Sequence, residues 1–113
     1  MHELSIAEGV LRIVDAEAKK QGFTRVLRLR MKIGEYAGII PDCLLEFFPI
    51  AAKGGPAEGA ELVIETVPAA FRCPDCGYEG PVERREARCG VCGSTAIRMI
   101  AGRECYVEDL VVE

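Results

Sequence analysis

The chain has no tryptophan, a single histidine and only 6% aromatic residues among its 113 positions. That histidine is His2, so none is available further along to act as a general base, which weighs against an enzyme. No run approaches the roughly twenty apolar residues of a membrane span. A basic segment leading into an apolar stretch, the mark of a secretory signal, is also missing, and the expected location is the cytoplasm. Positive charge is scarce: 14 Lys and Arg stand against 18 Asp and Glu, a net charge of -4. A nucleic-acid partner is therefore disfavoured on average. No internal repeat beyond two cysteine turns and no low-complexity tract occurs. Half of the residues are apolar and 28% are charged, which describes a globular domain. The length suits one domain, or one small domain carrying a smaller metal-held module.

Cysteine is what the chain does have. Cys73, Cys76, Cys89 and Cys92 form two C-x-x-C pairs, each followed by a glycine, Gly77 and Gly93. This spacing lets two thiolates of one tight turn face the same ion, and two such turns close a tetrahedral zinc site. A closed shell has no position for water or substrate, so the expected role is structural. From Phe71 to Gly102 the large apolar residues are too few for a core, and metal binding must supply most of the folding free energy. Paired disulfides belong to exported chains, and a thioredoxin-like motif uses one C-x-x-C at a helix start, so neither fits. Cys43 and Cys105 are expected to be small buried hydrophobes rather than ligands. The alternative reading is a zinc ribbon that binds nucleic acid or another protein. Five basic residues in this segment face four acidic ones, too weak a balance for a phosphate-binding field. Arg84, Arg85 and Arg88 still form a local cluster suited to an acidic protein.

The remainder reads as α+β. Ala7, Val10, Leu11, Val14 and Ala18 recur at helical spacing between Ser5 and Gln21. Ser5 and Glu8 suit a capping box, and Gly22 lies just past the end. From Arg25 the period becomes two, with Leu27, Leu29, Met31 and Ile33 on one face and Arg28, Arg30 and Lys32 on the other. Pro41 opens a second helix carrying Leu44, Leu45, Phe47 and Phe48, which Pro49 should shorten or kink. Leu62, Ile64 and Thr66 alternate with Glu61, Val63 and Glu65 in a second strand, whose acids would face the basic side of the first. The tail from Arg103 to Glu113 alternates with a phase shift near Glu108 or Asp109, as a bulged third strand would. The expected fold is two helices packed on a three-stranded sheet with an inserted zinc-ribbon-like module. Residues 1–70, completed by 103–113, would form the first domain and residues 71–102 the module.

His2 carries the remaining chemistry. A histidine at position two can offer one ion the Met1 amine, the deprotonated His2 amide and the His2 imidazole in fused chelate rings, with Glu3 able to add an oxygen. Square-planar nitrogen sets of this kind suit nickel or copper. Taken with Met1-His2-Glu3-Leu4-Ser5, Lys32-Ile33-Gly34-Glu35, Ala57-Glu58-Gly59-Ala60-Glu61-Leu62, the two cysteine turns and Gly102-Arg103-Glu104, the chain resembles the HypA/HybF family over essentially its whole length. These are nickel metallochaperones that mature nickel-iron hydrogenases, and similar proteins also feed urease in some organisms. The resemblance implies nickel at Met1, His2 and Glu3, and structural zinc at Cys73, Cys76, Cys89 and Cys92. It also implies a HypB-type GTPase and the hydrogenase large subunit as partners, with no nucleic acid and no membrane insertion. Pro49 and Cys43 depart from the family pattern. Glu35 matches it, and no metal role is assigned to it.

Overall fold

The computed structural model describes residues 3–82 and 85–113. Helix α1 (Glu3–Gln21) is followed by strand β1 (Val26–Gly34), helix α2 (Pro41–Ala52) and strand β2 (Glu61–Val67). Short strands β3 (Ala70–Arg72), β4 (Glu79–Gly80) and β5 (Arg98–Ala101) come next, and β6 (Cys105–Val112) closes the chain. The strands form two three-stranded sheets, ordered β2-β1-β6 and β4-β3-β5. The chain divides into two compact units, one of residues 1–32, 39–65 and 105–113, the other of residues 33–38 and 66–104.

In the first unit α1 buries Ala7, Val10, Val14 and Ala18, a stripe repeating every three or four residues. The Gly22 N–H closes the helix on the Ala18 carbonyl at 2.8 Å, and Gly22 takes the positive φ of 81° that such an ending needs. The helix already includes Glu3, so Ser5 lies within it and the Ser5–Glu8 capping box does not mark its start. Strand β1 buries Leu29, Met31 and Ile33 as its alternation demands. Val26, rather than the 42% exposed Leu27, is buried at its start.

Opposite charges meet on the outer side of this sheet. Lys32 reaches Glu65 of β2 at 3.9 Å and Glu108 of β6 at 3.6 Å, while Arg30 pairs with Asp109 at 2.8 Å. The expected basic-to-acidic match between β1 and β2 is thus present at Lys32, and β6 brings acids from the other side. Asp109 holds the Arg30 guanidinium pKa above its ordinary value by a direct hydrogen bond. These pairs are partly exposed and screened, so their contribution is to register more than to stability. Contacts at Arg25 with Glu113 and Gly34 with Glu104 show β6 running against β1, and those at Lys32 with Glu65 and Glu35 with Val67 show β2 running along it. A parallel pair requires a crossover, and α2 provides it.

Helix α2 continues past Pro49 to Ala52, so of the expected shortening or kink the shortening does not occur. Proline removes one N–H and crowds the carbonyl four residues back. Leu44, Phe48 and Ala52 lie one turn apart and are no more than 2% exposed. Their burial outweighs the lost bond. Cys43 is half-buried and Cys105 exposed, so neither is the buried hydrophobe anticipated. Cys105 lines a groove with Val10 and Met31, and partial desolvation of its thiol raises the pKa.

In the second unit three segments cross at close range. Gly34 N–H donates to the Glu104 carbonyl at 2.7 Å, Glu35 N–H to Val67 at 2.8 Å and Tyr36 N–H to Gly102 at 2.6 Å. The Glu35 carboxylate accepts the Ala69 N–H at 2.9 Å, and Glu104 accepts the Gly102 N–H at 2.8 Å. These bonds give the Gly34-Glu35 and Gly102-Arg103-Glu104 motifs a structural meaning. A Cβ on Gly34 would stand 2.2 Å from the Gly102 backbone, whereas one on Gly38 would meet nothing within 4 Å. Gly34→Ala should therefore cost about 3 kcal/mol or more through forced backbone displacement. Gly38→Ala, strained only by its positive φ, should cost about 1 to 2 kcal/mol. Urea denaturation of the two variants checks the order, and equal losses would mean that the crossing is not tightly packed.

Candidate metal centre

The four cysteines Cys73, Cys76, Cys89 and Cys92 converge, with all four sulfurs within 4.8 Å of one another. Cys73 Sγ lies 3.5 Å from Cys92 Sγ, and Cys76 Sγ 3.6 Å from Cys89 Sγ. These separations are far longer than a disulfide bond of about 2 Å. They approach the edge of about 3.8 Å that four sulfurs take at about 2.3 Å from a tetrahedral ion.

The two turns that bring the sulfurs together are built alike. Cys73 N–H donates to the Tyr78 carbonyl and Gly77 N–H to the Cys73 carbonyl, each at 2.8 Å. In the second turn Cys89 N–H donates to Ser94 at 2.9 Å and Gly93 N–H to Cys89 at 3.0 Å. The same offsets recur because each C-x-x-C-G must reverse within five residues. Gly77 and Gly93 do so with φ of 81° and 75°. Asp75 and Ser94 are joined by a hydrogen bond from the Ser94 hydroxyl, which ties one turn to the other.

Backbone N–H groups of Cys92 and Val91 favour the Cys89 thiolate and bring its pKa down to about 7 despite burial. Val91 N–H lies 3.4 Å from the Cys89 sulfur. Such donors are what a cage of thiolates requires, because they spread the negative charge that a divalent ion leaves uncompensated. Cys73 and Cys89 are buried, whereas Cys76 and Cys92 are exposed. Between positions 66 and 104 the other buried residues, among those described, are Ala69 and Gly102. This segment has no apolar core, and the sulfur cluster occupies the place of one. Sheet β4-β3-β5, whose strands are two to four residues long, is too short to show any periodicity and could not be foreseen from the sequence.

At the other candidate site only one of three residues is described. Met1 and His2 lie outside the described residues. Glu3 is 2% exposed on α1, and its Oε2 accepts the Ile40 N–H at 3.1 Å. Ile40 is the residue preceding α2 and has no side-chain cap of its own. Glu3 therefore caps α2 from another helix, with its charge at the positive end of the dipole. Sequence reasoning treated Glu3 as a metal donor and could not have found this second task, since Ile40 is 37 residues away. Glu35, to which no metal role was assigned, accepts the Ala69 N–H with its carboxylate at 2.9 Å.

Residues 1–112 match the family model described as hydrogenase/urease nickel incorporation, metallochaperone, HypA. The chain belongs to the HypA family. It is 40% identical to the hydrogenase maturation factor HypA of Chlorobium luteolum, over all of this chain and 97% of that one. Identity to the protein of that name from Acidithiobacillus ferrooxidans is also 40%, over the full length of both. The fold agrees with a solution structure of a HypA protein (TM-score 0.77, 22% identity, covering all of this chain and 97% of that one). It agrees as well with the solution structure of the Ni metallochaperone HypA from Helicobacter pylori (TM-score 0.72, 22% identity, covering 99% of this chain and 97% of that one). Membership makes this a metallochaperone of the hydrogenase maturation system, not an enzyme. Among the described residues no helix is long and apolar enough to cross a membrane.

If the cluster holds the module together, stripping its metal should abolish the β4-β3-β5 sheet and leave α1 and α2 intact. Far-ultraviolet circular dichroism should retain its helical signal after chelation while proteolysis opens between residues 72 and 98. Unchanged resistance to protease in the stripped protein would show that the sulfurs are not what organises this unit.

Proposed function

We propose that this chain carries Ni(II) at its N-terminus and hands it on during nickel-iron hydrogenase maturation, while a structural zinc ion occupies the cage of Cys73, Cys76, Cys89 and Cys92. The observation that carries the reading is the match of the family model from residue 1 to residue 112. It includes the one segment where a histidine stands beside a terminal amine. In this reading nickel is cargo, bound by the Met1 amine, the His2 amide and the His2 imidazole, with Glu3 contributing an oxygen. Square-planar nitrogen donors suit Ni(II), whereas four thiolates in a closed tetrahedron suit zinc.

Glu3 then has two tasks. Its bond to Ile40 fixes the first turn of α1, so the ligands ahead of it start from an anchored point. Any coordination by Glu3 shares its carboxylate with that bond. Metal exchange proceeds by stepwise ligand substitution, with incoming donors replacing those of the terminus one at a time. The proposed recipients are a HypB-type GTPase and the hydrogenase large subunit, and urease in an organism that has it. Elemental analysis should find one zinc per chain, lost in the Cys76→Ala, Cys92→Ala double variant.

Nickel binding requires the amine and the amide to lose protons. With an unperturbed amine pKa of about 7.7 to 8.0, affinity should fall steeply from pH 7 towards 6 and protons should be released on binding. Calorimetry of the tag-free His2→Ala variant at pH 7.5 should show loss of high-affinity nickel binding with zinc content unchanged. Parental nickel affinity in that variant would place the site elsewhere.

A further inference from the structure

Helix α2 leaves several large apolar side chains exposed on the side away from its buried face. Leu44, Phe48 and Ala52 face inward, yet Ile40 remains 55% exposed, Phe47 37% and Ile50 70%. Positions 40, 43, 47 and 50 fall on one stripe of a helix with 3.6 residues per turn. Half-buried Cys43 completes it. From Ile40 to Ile50 the stripe is about 15 Å long at 1.5 Å per residue, enough to seat three turns of another helix. Large exposed side chains gathered in this way mark an interaction surface, whereas scattered ones need no explanation.

Two further observations identify what the surface takes. Charge is the first: Asp42 and Glu46 are exposed beside the stripe, and neither enters an ion pair among the described residues. Acids left without partners along an apolar strip call for basic residues on the incoming molecule. Position is the second. The stripe begins at Ile40, whose N–H is held by the Glu3 carboxylate, so one end of it is fixed to the segment proposed to carry nickel. A molecule seated at that end lies beside Glu3, one of the proposed nickel donors.

We infer that the Ile40–Phe47–Ile50 stripe of α2 is the docking surface for the protein that exchanges nickel with this chain. It accepts an amphipathic helix with apolar anchors one turn apart and Lys or Arg along its flank. This rests on the nickel-carrier reading for the identity of the partner. Apolar anchors supply the affinity, and Asp42 and Glu46 set orientation and rate of encounter.

The test uses the full-length chain and the purified HypB-type GTPase and hydrogenase large subunit of the same organism. Ile50→Asp and Phe47→Ser should each weaken binding of at least one of the two proteins by tenfold or more. Glu46→Lys should weaken it chiefly at low salt. Helical circular dichroism and nickel affinity should match the parent, because Phe47, Glu46 and Ile50 are exposed and none of them is among the buried Leu44, Phe48 and Ala52 or the proposed nickel ligands. Ile13→Asp, an equally drastic change at a 52% exposed residue of α1, should leave binding alone. Parental affinity in the α2 variants overturns the inference. So does a parent that sediments as a dimer which Phe47→Ser dissociates without affecting partner binding, since a second copy would then be the occupant. If neither protein binds the parent, the docking surface is rejected while nickel titration judges the metal site separately. If binding depends on the stripe but the parent takes no nickel, docking stands and the carrier reading falls.

Discussion

Residues 66–104 bury almost no apolar side chain, so the convergence of four sulfurs decides whether this part of the chain has a structure. Its strands are too short to stand alone, and loops of this length would ordinarily lose more conformational entropy on ordering than their contacts return. Four ligands on one ion would remove that deficit, because the free energy of coordination becomes free energy of folding. The paired turns also set the directions in which β3 and β5 leave the cluster, and Ala70 through Arg72 pair with Arg98 through Ala101 accordingly. A charge pattern unfavourable by itself survives within that frame: Arg72 and Arg98 stand directly opposite one another, and Glu79 bonds the first of them.

The first unit rests on a different constraint. Strand β1 is central in its sheet, so its inner residues are covered while its outer basic residues find acids on both neighbours. A register slip by one residue would bury Arg30 and Lys32 and expose Leu29 and Met31. Hydrophobic pattern and charge pattern therefore specify the same alignment. This agreement between independent signals explains why the short chain settles on one pairing.

Much of this was legible in advance. Period and caps located α1, β1, β2 and β6, and cysteine spacing located the thiolate cluster before any geometry was known. At Pro49 and at Ser5 the local signal pointed away from the observed helix. Pro49 disfavours helix by itself, yet three buried side chains one turn apart keep α2 continuous. Ser5 and Glu8 have the form of a cap, yet the helix includes Glu3. What could not be read at all depends on contacts between distant positions. Examples are Glu3 on Ile40, Glu35 on Ala69 and the close passage of Gly34 against Gly102, where no sequence period links the partners.

The chemistry proposed for the two metal positions explains why one short chain can keep them apart. Intrinsic affinity ranks nickel and zinc close together, so selection must come from ligand type and geometry. A closed cage of four thiolates on paired glycine turns resists exchange, since no position is open to an incoming ligand. The proposed terminal set of nitrogen donors would instead be dismantled one ligand at a time. The bond from Ile40 N–H to Glu3 anchors the chain at its third residue, directly behind the proposed Met1 and His2 donors. Delivery then calls for orientation of the recipient more than for conformational change in the carrier, and an apolar helix face starting at Ile40 supplies a means of orienting it.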